Sequence, residues 1–228
     1  MKNKRRLLDY AKDILVVSNF PISHQNRTFP QCNHRAWSSA GEPVTLVSLG
    51  VIDNIRGLDL VIKAFDIVAS RIGNVKLVIY GDGFFKSTLQ DMVRVLNLEE
   101  KVVFFGWVSE NEKYDLLAKG DIGLVLHKVC DLTQHTIPNK LFDYMSVGLP
   151  VVATKINPVS NILDLERCGV CVEEDESLVA DELISLIFDV KRRRYMGNNG
   201  YRAIELRYTW EAESKKIVTA IESHIKAI

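Results

Sequence analysis

VTLVSLG at residues 44–50 is an apolar run that ends at a glycine, and VKLVIYGDG at residues 75–83 repeats this pattern. Between them, LDLVIKAFDIVAS at residues 58–70 has apolar residues at intervals of three and four, the spacing of one helix face. Runs made almost entirely of Val, Ile and Leu are typical of strands that are covered on both faces of a parallel sheet. This stretch therefore predicts a strand, a helix and a second, parallel strand.

The same alternation continues along the chain. Further strands are predicted at residues 102–105, 122–126, 150–153 and 169–172. Further helices are predicted up to about residue 96, from Ser109 to Gly120, from Pro138 to Gly148, and at about 177–190, 192–206 and 210–226. The sequence thus predicts an α/β fold with a Rossmann-like, doubly wound parallel sheet, in which ligands bind at the carboxyl ends of the strands.

Composition excludes several classes of protein. The chain has 228 residues, 47% of them hydrophobic, which excludes intrinsic disorder. Its 29 basic and 29 acidic residues balance, so no overall charge attracts nucleic acid. Four cysteines suggest neither a disulfide framework nor a zinc site. Because no apolar run resembles a membrane span or a signal peptide, we expect a cytoplasmic protein.

Residues 1–43 differ from the rest of the chain. They are rich in polar residues and proline, with one apolar strand predicted at residues 14–17. Basic residues at positions 2, 4, 5 and 6 can contact an anionic membrane surface, although a solvated terminus explains them more simply. We expect this segment to be separate from a domain that spans residues 44–228.

The loop that opens the helix after Pro138 is the first candidate site. Backbone N–H groups of Thr136, Ile137 and Asn139 would lie at the helix N-terminus, and Lys140 adds a positive charge, a combination suited to phosphate. Asp143, one turn later, is suited to accepting hydrogen bonds from ribose hydroxyls. An alternative reading is that Lys140 and Asp143 merely pair on an exposed helix face.

Two glycine-containing loops are further candidates. Arg56, in the loop that begins at Gly50, can bind a diphosphate through its guanidinium, or can be an ordinary surface arginine. Gly81 and Gly83 allow close approach of the backbone at the rim of the crevice, or simply form a turn. Lys86 stands where a dinucleotide-binding fingerprint would have its third glycine.

Five motifs, in order, resemble the C-terminal half of family 4 retaining glycosyltransferases. They are VSLG at 47–50, RGLD at 56–59, VIYGDG at 78–83, VFFGWV at 103–108 and PNKLFDYMSVGLPVVA at 138–153. The resemblance implies the GT-B architecture of two Rossmann-like domains. It also implies a nucleoside-diphosphate sugar bound as donor substrate, with no metal and no other cofactor.

The resemblance also assigns roles to residues. Arg56 matches the phosphate-binding Lys of the family, and Lys140 would lie near the diphosphate. Asp143 matches the second acid of a paired-glutamate motif, which holds the ribose. His135 stands at the position of the first acid and would face the donor sugar; an imidazole can donate as well as accept a hydrogen bond. Val51 replaces a second basic residue, a loss worth about 3 kcal/mol, or roughly a hundredfold in rate.

Length suggests how the domains are organised. Two Rossmann-like domains of about 150 residues each exceed this chain, so we expect the acceptor domain to be absent or to be a separate subunit. Residues 1–43 would be its trailing strand and linker, and an apolar stripe at Trp210, Ile217, Ile221 and Ile225 would face it. The sequence thus predicts the donor-binding domain of a retaining hexosyltransferase. A non-catalytic nucleotide-sugar-binding or interaction module and a dinucleotide-dependent oxidoreductase are the alternatives.

Overall fold

A computed structural model of the protein describes residues 42–225 together with Leu15, Val17 and Phe20. Within this part of the chain, six strands form one sheet in the order β3-β2-β1-β4-β5-β6, and every neighbouring pair is parallel. The strands are β1 (Val44–Leu49), β2 (Val75–Tyr80), β3 (Val102–Gly106), β4 (Ile122–Val125), β5 (Val151–Thr154) and β6 (Gly169–Val172). The predicted doubly wound parallel sheet is confirmed.

Helices connect the strands and cover both faces of the sheet. They are α1 (Leu58–Arg71), α2 (Lys86–Val95), α3 (Glu110–Leu117), α4 (Lys140–Ser146), α5 (Asn157–Glu166), α6 (Glu176–Phe188), α7 (Val190–Arg207) and α8 (Trp210–Ile225). Helix α5 was missing from the sequence prediction, which left residues 154–168 without an element. Helix α4 begins at Lys140, two residues after the predicted start at Pro138, and the chain turns as predicted at Gly148, which has a φ of 68°.

The sheet separates two hydrophobic cores. Leu46 and Val47 are adjacent on β1 and both are fully buried, yet they belong to different cores because side chains alternate along a strand. Helices α1 and α6 pack together on one face, and helices α4 and α7 pack together on the other. Coverage of both faces explains why the strands are almost continuously apolar.

Tyr144 fixes helix α4 to the carboxyl ends of two strands. Its hydroxyl accepts a hydrogen bond from the Leu49 N–H at 2.8 Å and donates one to the Leu124 carbonyl at 3.4 Å. Gly123 makes room for it, since a Cβ there would lie 2.6 Å from the tyrosine ring. Strands β1 and β4 lie where the winding direction of the sheet reverses, so α4 begins at the crevice that such a reversal creates.

The structure describes only part of the N-terminal segment and most of the C-terminal helix, the two regions predicted to adjoin an acceptor domain. Residues 1–41, apart from Leu15, Val17 and Phe20, lie outside the described part, so the segment predicted at residues 1–43 stays a prediction. The Phe20 ring packs against Phe142, with centroids 5.1 Å apart. On α8, Ile221 is 54% exposed. None of the helices in the described ranges is both long and apolar enough to cross a membrane.

Candidate functional site

A cavity of about 540 Å³ lies at the crevice between β1 and β4. Its walls come from the loop after β1 and from the segment between β4 and the first turn of α4. Seven of the residues predicted to form a binding site line it: Gly50, Arg56, Thr136, Ile137, Asn139, Lys140 and Asp143. The structure therefore brings into one cavity the side chains that the sequence suggested for phosphate and for ribose.

The loop that carries Arg56 is fixed by its own hydrogen bonds. Asp53 Oδ1 accepts the N–H groups of Ile55 and Arg56, both at 2.9 Å, and Asp53 Oδ2 lies 3.5 Å from Arg56 Nε. Gly57 follows with a φ of 64°, and a Cβ there would lie 1.7 Å from the Leu126 carbonyl oxygen. A glycine is thus required for this loop to approach β4, and that approach keeps Arg56 at the cavity.

Lys140 is a buried cation that lines the cavity. The residue is only 6% exposed, and no ion pair joins its ammonium to another residue in the described part of the chain. Burial, with a smaller contribution from the charge of Arg56, lowers the pKa of Lys140 to about 7, and Asp53 opposes the shift. A buried charge without a partner is unfavourable, so an anion in the cavity would stabilise it.

His127 is a second buried group that faces the same cations. It lines the cavity, and its Nε2 makes no hydrogen bond to any residue that the structure describes. Burial, followed by the charges of Lys140 and Arg56, lowers the pKa of His127 to about 2, so the imidazole is neutral. The Thr154 hydroxyl donates to the His127 carbonyl at 2.6 Å and holds its backbone. The sequence alone assigned His127 no role in this cavity.

Asp143 is buried beside helix α3 and does not pair with Lys140. Lys113 Nζ lies 2.9 Å from Asp143 Oδ1, and the Tyr114 hydroxyl donates to the same oxygen at 3.2 Å. Burial raises the pKa of Asp143, and the Lys113 ammonium opposes that shift. The alternative reading of Lys140 and Asp143 as a pair on an exposed helix face is therefore wrong, since both are buried and the carboxylate has other partners.

Three predicted site residues lie outside the cavity lining. Gly81 and Gly83 pack against the loop after β1: an added Cβ would lie 1.9 Å from the Gly50 oxygen and 2.2 Å from the Ile52 oxygen, respectively. They shape the cavity through the backbone. His135 ends a short 3-10 turn, is half exposed, and lies 3.6 Å from Asp131 Oδ1 through Nε2. Contact of these three residues with a ligand stays a prediction.

Apolar side chains complete the cavity. Trp107, just after β3, lines it and is 66% exposed, and Val51 lines it and is 41% exposed. The sequence reasoning used Trp107 only as part of a motif and gave it no role. Among the described residues, no group of three or more His, Cys, Asp or Glu side chains is arranged to hold a metal ion.

Several known proteins have sequences similar to this chain. It is 25% identical over 215 residues to N-acetyl-alpha-D-glucosaminyl L-malate synthase of Bacillus anthracis, and the match covers 93% of this chain and 53% of that enzyme. The chain spans about half the length of the curated relatives it matches.

Solved structures of other proteins share the fold. Staphylococcus aureus TarM, in a complex that includes UDP, has a TM-score of 0.74 at 20% identity, over 96% of this chain and 42% of that one. The C-terminal domain of the group 1 glycosyl transferase LpcC from Francisella tularensis has a TM-score of 0.65 at 22% identity, over 84% of this chain and 96% of that one.

The sequence profile of one family matches most of the chain. Its description is "Glycosyl transferases group 1", and the match covers residues 31–203. That range includes β1 to β6 and every residue that lines the cavity. The chain therefore belongs to the group 1 family of glycosyl transferases.

Proposed function

We propose that this chain is the donor-binding domain of a glycosyltransferase and that the cavity binds a nucleoside-diphosphate sugar. One observation carries the proposal: Arg56 and Lys140 supply positive charge in the same cavity that Asp143 lines with a carboxylate. A diphosphate needs the first feature, and a ribose with two hydroxyls suits the second. The UDP present in the TarM complex supports this class of ligand.

The two cations would bind the diphosphate together. The Arg56 guanidinium matches phosphate oxygens in a forked geometry, while Lys140 acts as a buried point charge. Helix α4 has only seven residues, from Lys140 to Ser146, so side-chain charge contributes more than the helix dipole does. The pKa of Lys140, about 7 in the free protein, would rise when a diphosphate binds, and the ligand would thus hold the lysine in its charged form.

The base and the donor sugar would occupy the remaining walls. The exposed ring of Trp107 offers a flat apolar surface, and stacking a base on an aromatic ring contributes about 1–3 kcal/mol. Neutral His127 can share a hydrogen bond with a donor hydroxyl or phosphate oxygen through its unpartnered Nε2. We propose that His135 lies towards the donor sugar, as the family resemblance implies.

We propose that transfer proceeds with retention at the anomeric carbon. The bond from that carbon to the diphosphate oxygen breaks, and its electron pair leaves with the diphosphate. Arg56 and Lys140 neutralise the charge that develops there, which is the main electrostatic contribution that this domain can make. The acceptor hydroxyl oxygen forms the new bond to the anomeric carbon, and its proton passes to an oxygen of the departing diphosphate. We propose that a second domain, in the same chain or in another, binds the acceptor, and that the enzyme is cytoplasmic and can associate with a membrane surface.

Calorimetry with four probes tests the proposal: UDP, GDP, ADP and inorganic pyrophosphate. We expect Lys140→Met to lower the affinity about tenfold or more for every probe that the unmodified protein binds, since the substitution removes a charged contact. Asp143→Ala should lower the affinity for the nucleotides and leave the affinity for pyrophosphate unchanged. Lys119→Met, which removes a lysine beyond α3 and outside the cavity, is the matched control and should change nothing. The proposal fails if the two site variants bind like the control.

Val51 supports a second candidate, a non-catalytic nucleotide-sugar-binding module. It lines the cavity where the family commonly has a further basic residue, so the leaving group would have one contact fewer. Binding would survive this loss better than turnover does. Transfer assays with a co-expressed acceptor-domain partner separate the two candidates: labelled sugar in a product supports the enzyme, and tight donor binding without turnover supports the module.

The anomeric configuration of the product, read by NMR, tests retention.

A further inference from the structure

Two side chains of helix α3, those of Lys113 and Tyr114, contact Asp143. We infer that Lys113 and Tyr114 are positioning residues: they hold Asp143 so that one carboxylate oxygen stays available for the ribose diol, and they thereby set a preference for ribonucleotides over their 2′,3′-dideoxy counterparts. The inference rests on the proposed function, because it assigns the ribose of the bound nucleotide to Asp143.

The two oxygens of the Asp143 carboxylate have different surroundings. Both the Lys113 ammonium, at 2.9 Å, and the Tyr114 hydroxyl, at 3.2 Å, contact the same atom, Asp143 Oδ1. Asp143 also lines the cavity, whereas Lys113 and Tyr114 do not. With Oδ1 occupied from α3, Oδ2 is the oxygen that can accept hydrogen bonds from a ligand, and two vicinal hydroxyls can share its lone pairs.

Burial explains why the carboxylate needs these partners. The Asp143 side chain is only 11% exposed and that of Lys113 only 12%. Burial raises the pKa of Asp143, while Lys113 pulls it back towards its ordinary value. If Lys113 were removed, the buried carboxyl would gain a proton more readily and would become a weaker acceptor for the ribose hydroxyls.

Lys113 is itself held in one orientation. Its ammonium also pairs with Glu110 Oε2 at 2.9 Å and lies 4.7 Å from the centre of the Tyr114 ring. Ser109 caps the helix: its hydroxyl accepts the Glu112 N–H at 3.3 Å and lies 2.6 Å from the Glu112 carboxylate. The predicted helix start at Ser109 is thus confirmed, and the cap fixes the turn that delivers Lys113 to Asp143.

The test compares the affinities of a nucleoside diphosphate and of its 2′,3′-dideoxy counterpart, for UDP, GDP and ADP in turn. For the base that binds most tightly, the unmodified protein should favour the ribonucleotide by about tenfold or more. Lys113→Met should reduce this ratio at least about threefold, leave inorganic pyrophosphate binding unchanged, and add no loss of discrimination to Asp143→Ala. Tyr114→Phe should reduce the ratio less, and Lys119→Met should not alter it.

Each result bears on one of the two claims. If Asp143→Ala removes the discrimination while Lys113→Met and Tyr114→Phe keep it, the positioning role is wrong and the proposed function stands. If Lys113→Met lowers the affinities for pyrophosphate and for nucleotides equally, Lys113 supports the fold only, which also overturns the inference. If Asp143→Ala retains the full ratio, the ribose contact in the proposed function is wrong. Should Lys113→Met fail to fold, Tyr114→Phe decides the question by the same ratio.

Discussion

Replacing Lys140 with methionine should make the protein more stable and, at the same time, a weaker ligand binder. The lysine is buried, and its pKa is about 7 instead of the ordinary 10.5. Below pH 7 the ammonium is charged in both the folded and the unfolded chain, so folding carries the full penalty of burying it. A methionine side chain has a similar length and no charge. We therefore expect the free energy of unfolding at pH 6 to rise in the Lys140→Met variant.

The pH dependence sets the magnitude. Between pH 7 and 10.5 the unfolded chain holds a proton on Lys140 that the folded chain has released, so the stability of the unmodified protein rises with pH. The slope is at most about 1.4 kcal/mol per pH unit for one group. Methionine does not titrate. The stability advantage of Lys140→Met should therefore shrink by roughly 3 kcal/mol between about pH 7 and about pH 9.5.

Urea unfolding at several pH values measures this difference directly. The difference between the two free energies of unfolding at each pH cancels the titration of all other groups. The Lys119→Met variant controls for the loss of a lysine elsewhere. In parallel, the affinity of the unmodified protein for the diphosphate that binds it should fall above pH 7 by up to about tenfold per unit, because the free lysine loses its proton. The affinity of Lys140→Met should lack this pH dependence. A stability difference that stays constant from about pH 6 to about pH 9.5 would show that folding does not change the titration of Lys140.

Three further predictions concern the walls of the cavity. Tyr144→Phe removes the acceptor of the partly buried Leu49 N–H and should lower the free energy of unfolding by about 1–3 kcal/mol in urea titrations; an unchanged midpoint would contradict this. Gly57→Ala should destabilise by more than about 1 kcal/mol and weaken diphosphate binding in calorimetry, while Gly73→Ala, in open space, should do neither. His127→Asn should show a smaller fall in stability below pH 6.5 than the unmodified protein, because the unfolded histidine gains a proton there and the folded one, with a pKa of about 2, does not. Equal acid slopes in both proteins would rule that out.

The fold could be predicted because its signals are local. Strands β1 to β6 are apolar runs bounded by glycine or polar residues, and six such runs with intervening helices leave few alternatives. Helix α5 was missed although Pro158 marks its first turn and Val159, Ile162 and Leu163 form its buried face. Its two ends carry no recognisable capping signal in the sequence, because Ile156 supplies no capping side chain and the left-handed turn at the other end is made by Arg167 instead of a glycine.

The candidate site could be predicted where a charged side chain lies in a loop or helix that comes after a predicted strand. Arg56, Lys140 and Asp143 were found because each lies in a loop or helix that comes after a strand. Lys113 and Tyr114 approach Asp143 from 29 or 30 positions earlier, and no spacing rule connects such residues before the fold is known. His127 lies in the loop after β4, but its burial and its proximity to the charges of Lys140 and Arg56 follow from the packing of the two loops, which no sequence pattern shows.

Crystallisation of the protein with the nucleoside diphosphate that binds it most tightly would show where the ligand lies. We expect electron density for the diphosphate within hydrogen-bonding distance of Arg56 and Lys140, and for the ribose hydroxyls beside Asp143 Oδ2. Density for the nucleotide at any other surface, with this cavity filled only by water, would contradict this expectation.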